Sequence, residues 1–121
     1  MLLDTHVVLW ELGGTRTVGA RAQVAIEEAD EMIFSVVSFA EIGVKAAVGK
    51  LVVPDDLEEH VARSGLQILA LAPAHGLEVA KLPLHHRDPF DRLLISQARS
   101  EGLTLLTADE RYDVSLIDAS A

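Results

Sequence analysis

Short apolar runs of strand length alternate with helical segments along this chain, and that alternation limits its fold more than any other feature. Tight-turn pairs such as Asn-Gly, which join neighbouring antiparallel strands, do not occur between the runs. Strands that are joined through helices lie parallel and are covered on both faces. The sequence therefore predicts an α/β fold with a mainly parallel central sheet of about five short strands and helices on both faces. The strands are predicted at residues 1–4, 31–35, 67–71, 103–107 and 114–118.

Helix start and stop signals mark the segments between these runs. Thr5 is expected to cap the first helix at its N-terminus, and either Ser35 or Ser38 could cap the third. Asp88 and Pro89 are typical of the N-cap and the first position of a later helix. Helices are predicted over residues 5–12, about 18–30, 38 to about 48, 54 to about 65, 73 to about 82 and 89 to about 101.

The length and composition suit one compact domain. The chain has 121 residues, 50% of them hydrophobic, which is enough for one core and too little for two, so we expect a single domain over residues 1–121. The absence of cysteine removes disulfides, thiolate zinc sites and cysteine nucleophiles, and it suits a reducing compartment. Neither a secretory signal nor an apolar run of roughly 18 residues is visible, so we expect a cytoplasmic protein without a membrane partner.

The formal charge of −9 argues against a simple nucleic-acid-binding surface, which is normally basic. Carboxylates that surround a divalent cation do not act as net negative charge, however, and basic side chains could still line one face. An acidic surface could instead meet a basic protein partner. Composition leaves both interpretations open.

Four carboxylates lie inside or at the edge of apolar stretches, which is an unusual place for surface acids: Asp4, Glu41, Asp91 and Asp109. A buried carboxylate is costly unless it is protonated, paired with a cation or bound to a metal. Asp4 ends the first predicted strand and Asp109 lies just past the fourth. Because parallel strands build ligand sites at their carboxyl ends, these acids are predicted to meet at one edge of the sheet.

Each acid also has an ordinary interpretation. Asp4 and Asp109 could each end a strand and begin a turn or cap. Glu41 could simply pair with Lys45, one helical turn later. Asp91 could be the acidic member of a capping box at the start of its helix. The functional interpretation therefore depends on all four acids being close together.

Four ionised carboxylates in one pocket repel one another unless a cation compensates their charge. Oxygen ligands without sulfur favour Mg²⁺ or Mn²⁺ over zinc. Such a site is suited to hydrolysis of phosphodiester bonds, because the metal can lower the pKa of a water molecule and stabilise the leaving oxygen. The acids therefore predict a metal-dependent phosphodiesterase.

The motifs that carry these acids resemble those of the PIN-domain ribonucleases, and in particular the VapC-like toxins of type II toxin–antitoxin systems. They are MLLDTHVVLW, SFAEIGVK, HHRDPFDRLLISQA and LTLLTADERY, in this order along essentially the whole chain. The resemblance implies a PIN fold and endonucleolytic cleavage of RNA with Mg²⁺ or Mn²⁺. It also implies that Asp4, Glu41, Asp91 and Asp109 form the metal site and that the Thr107 hydroxyl assists them.

The resemblance further implies specific partners. A homodimer is expected, inhibited by a small antitoxin whose basic C-terminal segment enters the acidic groove. DNA would be contacted only indirectly, through the antitoxin.

Two other classes of protein fit an acidic pocket on an α/β sheet. A receiver-like phosphoacceptor domain would need a lysine near its last strand, and no lysine follows Lys81. A non-catalytic module could use the acidic groove only to hold a basic peptide. Among the basic residues, Arg92 could bind a phosphate or pair with a surface acid.

Overall fold

Among the described residues the sheet has five strands, and the first four run parallel as predicted. The computed structural model describes residues 1–13, 19–82, 88–107 and 115–118. The strand order is β3-β2-β1-β4-β5, in which β5 runs antiparallel to β4. The strands are β1 (Leu2–Leu3), β2 (Ile33–Ser35), β3 (Gln67–Leu69), β4 (Thr104–Thr107) and β5 (Ser115–Asp118).

Helices connect the parallel strands and lie close to their predicted positions. They are α1 (Thr5–Gly13), α2 (Ala20–Glu28), α3 (Val36–Ala47), α4 (Leu57–Arg63), α5 (Pro73–Glu78), a 3-10 turn (Val79–Lys81) and α6 (Pro89–Glu101). Within the described ranges, no helix combines the length and apolar character required to cross a membrane.

Both faces of the sheet are covered, because neighbouring residues of each short strand point to opposite sides. Leu3, Phe34 and Leu106 pack on one side, in a core that α1, α2, α3 and α4 complete. Leu2 and Leu105 pack on the other side, in a core that α3 and α6 complete. The predicted fold class is therefore confirmed: a mainly parallel sheet with helices on both faces.

Two of the predicted helix caps are present and one is wrong. The Ser35 hydroxyl accepts a hydrogen bond from Val37 N at 3.0 Å, so Ser35 rather than Ser38 caps α3. The Asp88 carboxylate caps α6 by accepting from the first backbone N–H groups of the helix. Thr5 does not cap α1, because it is already the first helical residue and its hydroxyl contacts side chains of α3.

The strand order places a crevice beside β1. The chain passes from β1 to β2 and β3 on one side and then returns to β4 on the other side of β1. At such a reversal the connections leave in opposite directions from neighbouring strand ends, and ligand sites form there. Asp4 and Thr107 lie at this position, at the carboxyl ends of β1 and β4.

Candidate metal centre

Asp4 is held at the end of β1 by contacts to β4. Its backbone N–H donates to Leu106 O at 2.8 Å, and the Thr107 hydroxyl donates to its Oδ2 at 2.9 Å. The side chain is only 5% exposed. Burial raises the pKa of Asp4 and the nearby Glu41 carboxylate adds to this, although the Thr107 hydrogen bond and the charge of His6 oppose it. The net direction is upward, as expected for a desolvated carboxyl group beside a second carboxylate.

Glu41 lies on α3 and is almost completely buried, at 2% exposure. Its Oε1 lies 2.7 Å from the Thr5 hydroxyl, and its Oε2 lies 2.6 Å from Lys45 Nζ. The predicted ion pair with Lys45 is therefore present. It does not exclude a metal-binding role, because each carboxylate oxygen can accept more than one partner.

Asp91 lies in the first turn of α6 and is partly exposed. Burial raises its pKa to about 7, with further contributions from the negative charges of Asp4, Asp88 and Glu41, while Lys45 lowers it. Asp88 supplies the capping oxygen for Phe90 N and Asp91 N, at 2.8 and 3.1 Å. Asp88 therefore occupies the N-cap position of α6. Among the neighbouring charges, that of Asp4 raises the pKa of Asp91 most.

These three carboxylates converge at one point. Asp4, Glu41 and Asp91 each offer one oxygen, and the three oxygens lie within 4.8 Å of one another. Asp4 directly follows β1, whereas Glu41 lies on α3 and Asp91 on α6, so the tertiary fold alone brings them together. Asp109, the fourth predicted ligand, lies outside the described residues.

The donor set fits a hard divalent cation. All three groups are carboxylates, which suit Mg²⁺ or Mn²⁺ better than softer metals. Lys45 supplies a single positive charge nearby. Burial lowers the pKa of Lys45, but the hydrogen bond and charge of Glu41, with the charges of Asp88 and Asp91, have a larger effect, so the net change in this pKa is upward. The charges of Lys45 and His6 together cannot neutralise three carboxylates, so the pocket still favours a cation.

A buried polar network fixes α6, and with it Asp91, against the sheet. The Ser35 hydroxyl donates to Gln97 Oε1, and Gln97 Nε2 donates to Ala70 O at 3.3 Å. On the same helix, the Ser96 hydroxyl donates to His75 O at 2.5 Å. These contacts satisfy polar groups inside the core and so help to define one orientation of the helix.

The remaining predicted residues have other roles or lie outside the described ranges. The Arg92 guanidinium donates to Val79 O at 2.8 Å and to Leu82 O at 3.4 Å, which attaches the 3-10 turn to α6. Sequence reasoning missed Thr5 as a partner of Glu41. The position of Thr5 directly after Asp4 was the one feature of the sequence that pointed to this contact.

Removing the Lys45 ammonium is expected to destabilise the protein when no divalent cation is present. In Lys45→Met the buried Glu41 carboxylate loses its cationic partner, at a cost on the order of 1–2 kcal/mol once the partial exposure of Lys45 is allowed for. Adding Mn²⁺ should restore most of this loss. Urea unfolding in EDTA and in Mn²⁺ measures both quantities.

Lys81→Met is the matched control, because Lys81 forms an exposed ion pair with Glu78 at 3.0 Å. Its effect on the free energy of unfolding is expected to stay within about 0.5 kcal/mol. Equal losses in the two variants would contradict a special role for Lys45 in the pocket.

The fold and the site together define a class: an α/β domain with a carboxylate centre beside its topological switch point. Comparison with known proteins gives the family. The PIN domain profile matches residues 1–115, and the chain belongs to the PIN domain family.

Relatives of known structure and sequence agree with this assignment. Ribonuclease VapC22 of Mycobacterium tuberculosis is 31% identical over 118 residues, which cover 92% of this chain and 88% of that protein. A toxin–antitoxin complex from Klebsiella pneumoniae matches with a TM-score of 0.59 at 17% identity, covering 89% of this chain and 85% of the matched chain. VapBC2 from Rickettsia felis, bound to a fragment of promoter DNA, matches with a TM-score of 0.61 at 18% identity, covering 89% and 86%. The two structures support the fold.

Proposed function

We propose that this chain is an endoribonuclease, the toxin of a toxin–antitoxin pair, and that it depends on Mg²⁺ or Mn²⁺. The observation that carries the proposal is the convergence of Asp4, Glu41 and Asp91, whose oxygens lie within 4.8 Å of one another. The similarity to a protein named as a ribonuclease supports RNA as the substrate. The structural similarity to toxin–antitoxin complexes supports the toxin role.

The residues of the site have distinct parts in this proposal. Asp4 and Glu41 are buried and held by hydrogen bonds, so they would provide the fixed ligands. Asp91 is partly exposed and would provide the third ligand at the solvent side of the pocket. Asp109 is proposed as a fourth ligand and Thr107 as the residue that orients Asp4. When bound, the cation supplies the positive charge that hydrolysis of a phosphodiester requires.

The partners follow from charge and from the relatives. An acidic chain of net charge −9 suits a small antitoxin with a basic C-terminal segment that enters the carboxylate pocket. DNA would be reached only through that antitoxin. A homodimer and a cytoplasmic location complete the proposal.

Cleavage of RNA that requires a divalent cation is the direct test. The purified protein, incubated with end-labelled structured RNAs, is expected to produce discrete fragments in Mg²⁺ or Mn²⁺ and none in EDTA. Two results, each without RNA cleavage under any of these conditions, would indicate a rival class instead. Binding of a basic peptide would indicate the non-catalytic module, and transfer of a phosphoryl group from acetyl phosphate would indicate the receiver-like domain.

A further inference from the structure

The Thr5 hydroxyl lies between two side chains of α3. Thr5 is 2% exposed, and its Oγ1 lies 2.7 Å from Glu41 Oε1 and 2.8 Å from Ser38 Oγ. Both contacts span more than thirty positions of sequence, so they connect the start of α1 to α3 through tertiary structure alone. A buried threonine with two such contacts has more than a packing role.

The chemistry of the two partners fixes the direction of the hydrogen bonds. Thr5 has one hydroxyl proton, and an ionised carboxylate can only accept. The proton therefore belongs on the bond to Glu41, and the Ser38 hydroxyl donates to Thr5. Hydrogen bonds linked in this way strengthen one another in a buried environment. The Glu41 carboxylate thus receives an oriented, water-excluded donor on Oε1.

Thr5 also follows Asp4 directly in the chain, and this gives its hydrogen bond a second consequence. The peptide between them is rigid, so a bond from Thr5 to Glu41 fixes the Glu41 carboxylate relative to the backbone that carries Asp4. Thr107 acts in the same way on Asp4 from the neighbouring strand, at 2.9 Å. Thr5, which begins α1, and Thr107, which ends β4, therefore each orient one of the two buried acids of the site.

We propose that Thr5 is a positioning residue, whose hydroxyl holds Glu41 at the separation from Asp4 at which the two carboxylates share one divalent cation. The inference rests on the proposed metal site. Groups that orient metal ligands typically contribute 10–100-fold to metal affinity. Removing the hydroxyl while keeping the shape of the side chain should therefore weaken cation binding without unfolding the protein.

Binding of Mn²⁺ in the absence of RNA, measured by electron paramagnetic resonance of the free ion, tests the inference. Thr5→Val is expected to raise the dissociation constant by about 10-fold or more. Thr5→Ser keeps the hydroxyl and should bind Mn²⁺ with the affinity of the unaltered protein. Thr104→Val is the matched control: the same change at the amino end of β4, far from the carboxylates, should leave Mn²⁺ affinity unchanged.

Two outcomes would overturn the inference: unchanged Mn²⁺ affinity in a folded Thr5→Val, or a Thr5→Ser variant that binds as weakly as Thr5→Val. If Thr5→Val does not fold, Thr5→Ser and Ser38→Ala decide the matter. Ser38→Ala removes the donor behind Thr5 and should weaken binding about threefold, and wild-type affinity in that variant would contradict the linked hydrogen bonds. An unaltered protein that binds no Mn²⁺ at all would instead refute the proposed function.

Discussion

Asp4→Asn is expected to abolish RNA cleavage while leaving the fold intact. The amide has the same shape as the carboxylate and still accepts the hydrogen bond that Thr107 donates at 2.9 Å. It lacks the charge that would hold the cation. Loss of a ligand should cost more than the 10–100-fold that partners of ligands contribute, so the cleavage rate is expected to fall by at least about a hundredfold. Cleavage assays with labelled RNA in Mg²⁺ measure the change.

The stability of the same variant separates this explanation from misfolding. Asp4 is buried, its pKa is raised, and it repels Glu41 and Asp91. Neutralising it should therefore leave the free energy of unfolding in EDTA unchanged or higher, and should lower the pKa of Asp91. Asp30→Asn is the control, because Asp30 is an exposed acid before the amino end of β2, at the opposite edge of the sheet. Full activity in a folded Asp4→Asn preparation would refute the assignment of the site.

The sequence predicted the sheet well because the signals for its strands are local. Three of the parallel strands, β1, β2 and β4, are short runs that are largely buried on both faces, which leaves no alternation to misread. The edge strand β3 is more exposed. The direction of β5 was not visible, since its connection to β4 carries no recognisable hairpin signal. Local patterns therefore defined the elements and the mainly parallel direction of the strands, but not their order in the sheet.

The acids of the candidate site could be predicted from the sequence, whereas their hydrogen-bond partners were harder to predict. Asp4, Glu41 and Asp91 stood out because a carboxylate in an apolar stretch contradicts the pattern around it. Thr5 did not stand out, because a threonine before a helix is what capping alone would produce. Its contact with Glu41 spans 36 positions and depends on how α1 packs against α3, which no local signal records.

The competing interpretations of Glu41 also show why single residues were ambiguous. The ion pair with Lys45 is formed at 2.6 Å, and the same carboxylate lies in the acidic cluster. A surface pair at this spacing adds little stability, but here one partner is buried. The ion pair with Lys45 and the position of Glu41 in the acidic cluster are therefore compatible, and neither interpretation of Glu41 excludes the other.

Asp91→Asn is expected to stabilise the protein in EDTA at pH 8 and to remove its activity. The pKa of Asp91 is about 7 in the folded protein and 3.8 in the unfolded reference. The folded state therefore binds the proton more tightly, and the stability this provides is complete below pH 3.8 and is lost as the pH rises through about 7. The amide mimics the protonated acid, so Asp91→Asn should lose this part of the pH dependence.

Partial exposure of Asp91 screens the effect, so the expected gain in the free energy of unfolding at pH 8 is on the order of 1 kcal/mol. Mn²⁺ should reverse the order of stability, because it binds the unaltered protein and compensates the three carboxylates, whereas the variant lacks one of them. For the same reason, Mn²⁺ affinity of the unaltered protein should increase from pH 5.5 to 8 as Asp91 loses its proton. Urea unfolding at pH 5.5 and 8, with EDTA or Mn²⁺ and with Asp30→Asn as control, measures each effect. A lower stability of Asp91→Asn than of the unaltered protein, in EDTA at pH 8, would contradict this prediction. Asp91 would then be an acid whose charge the fold requires, and the proposed cation would have to bind without it.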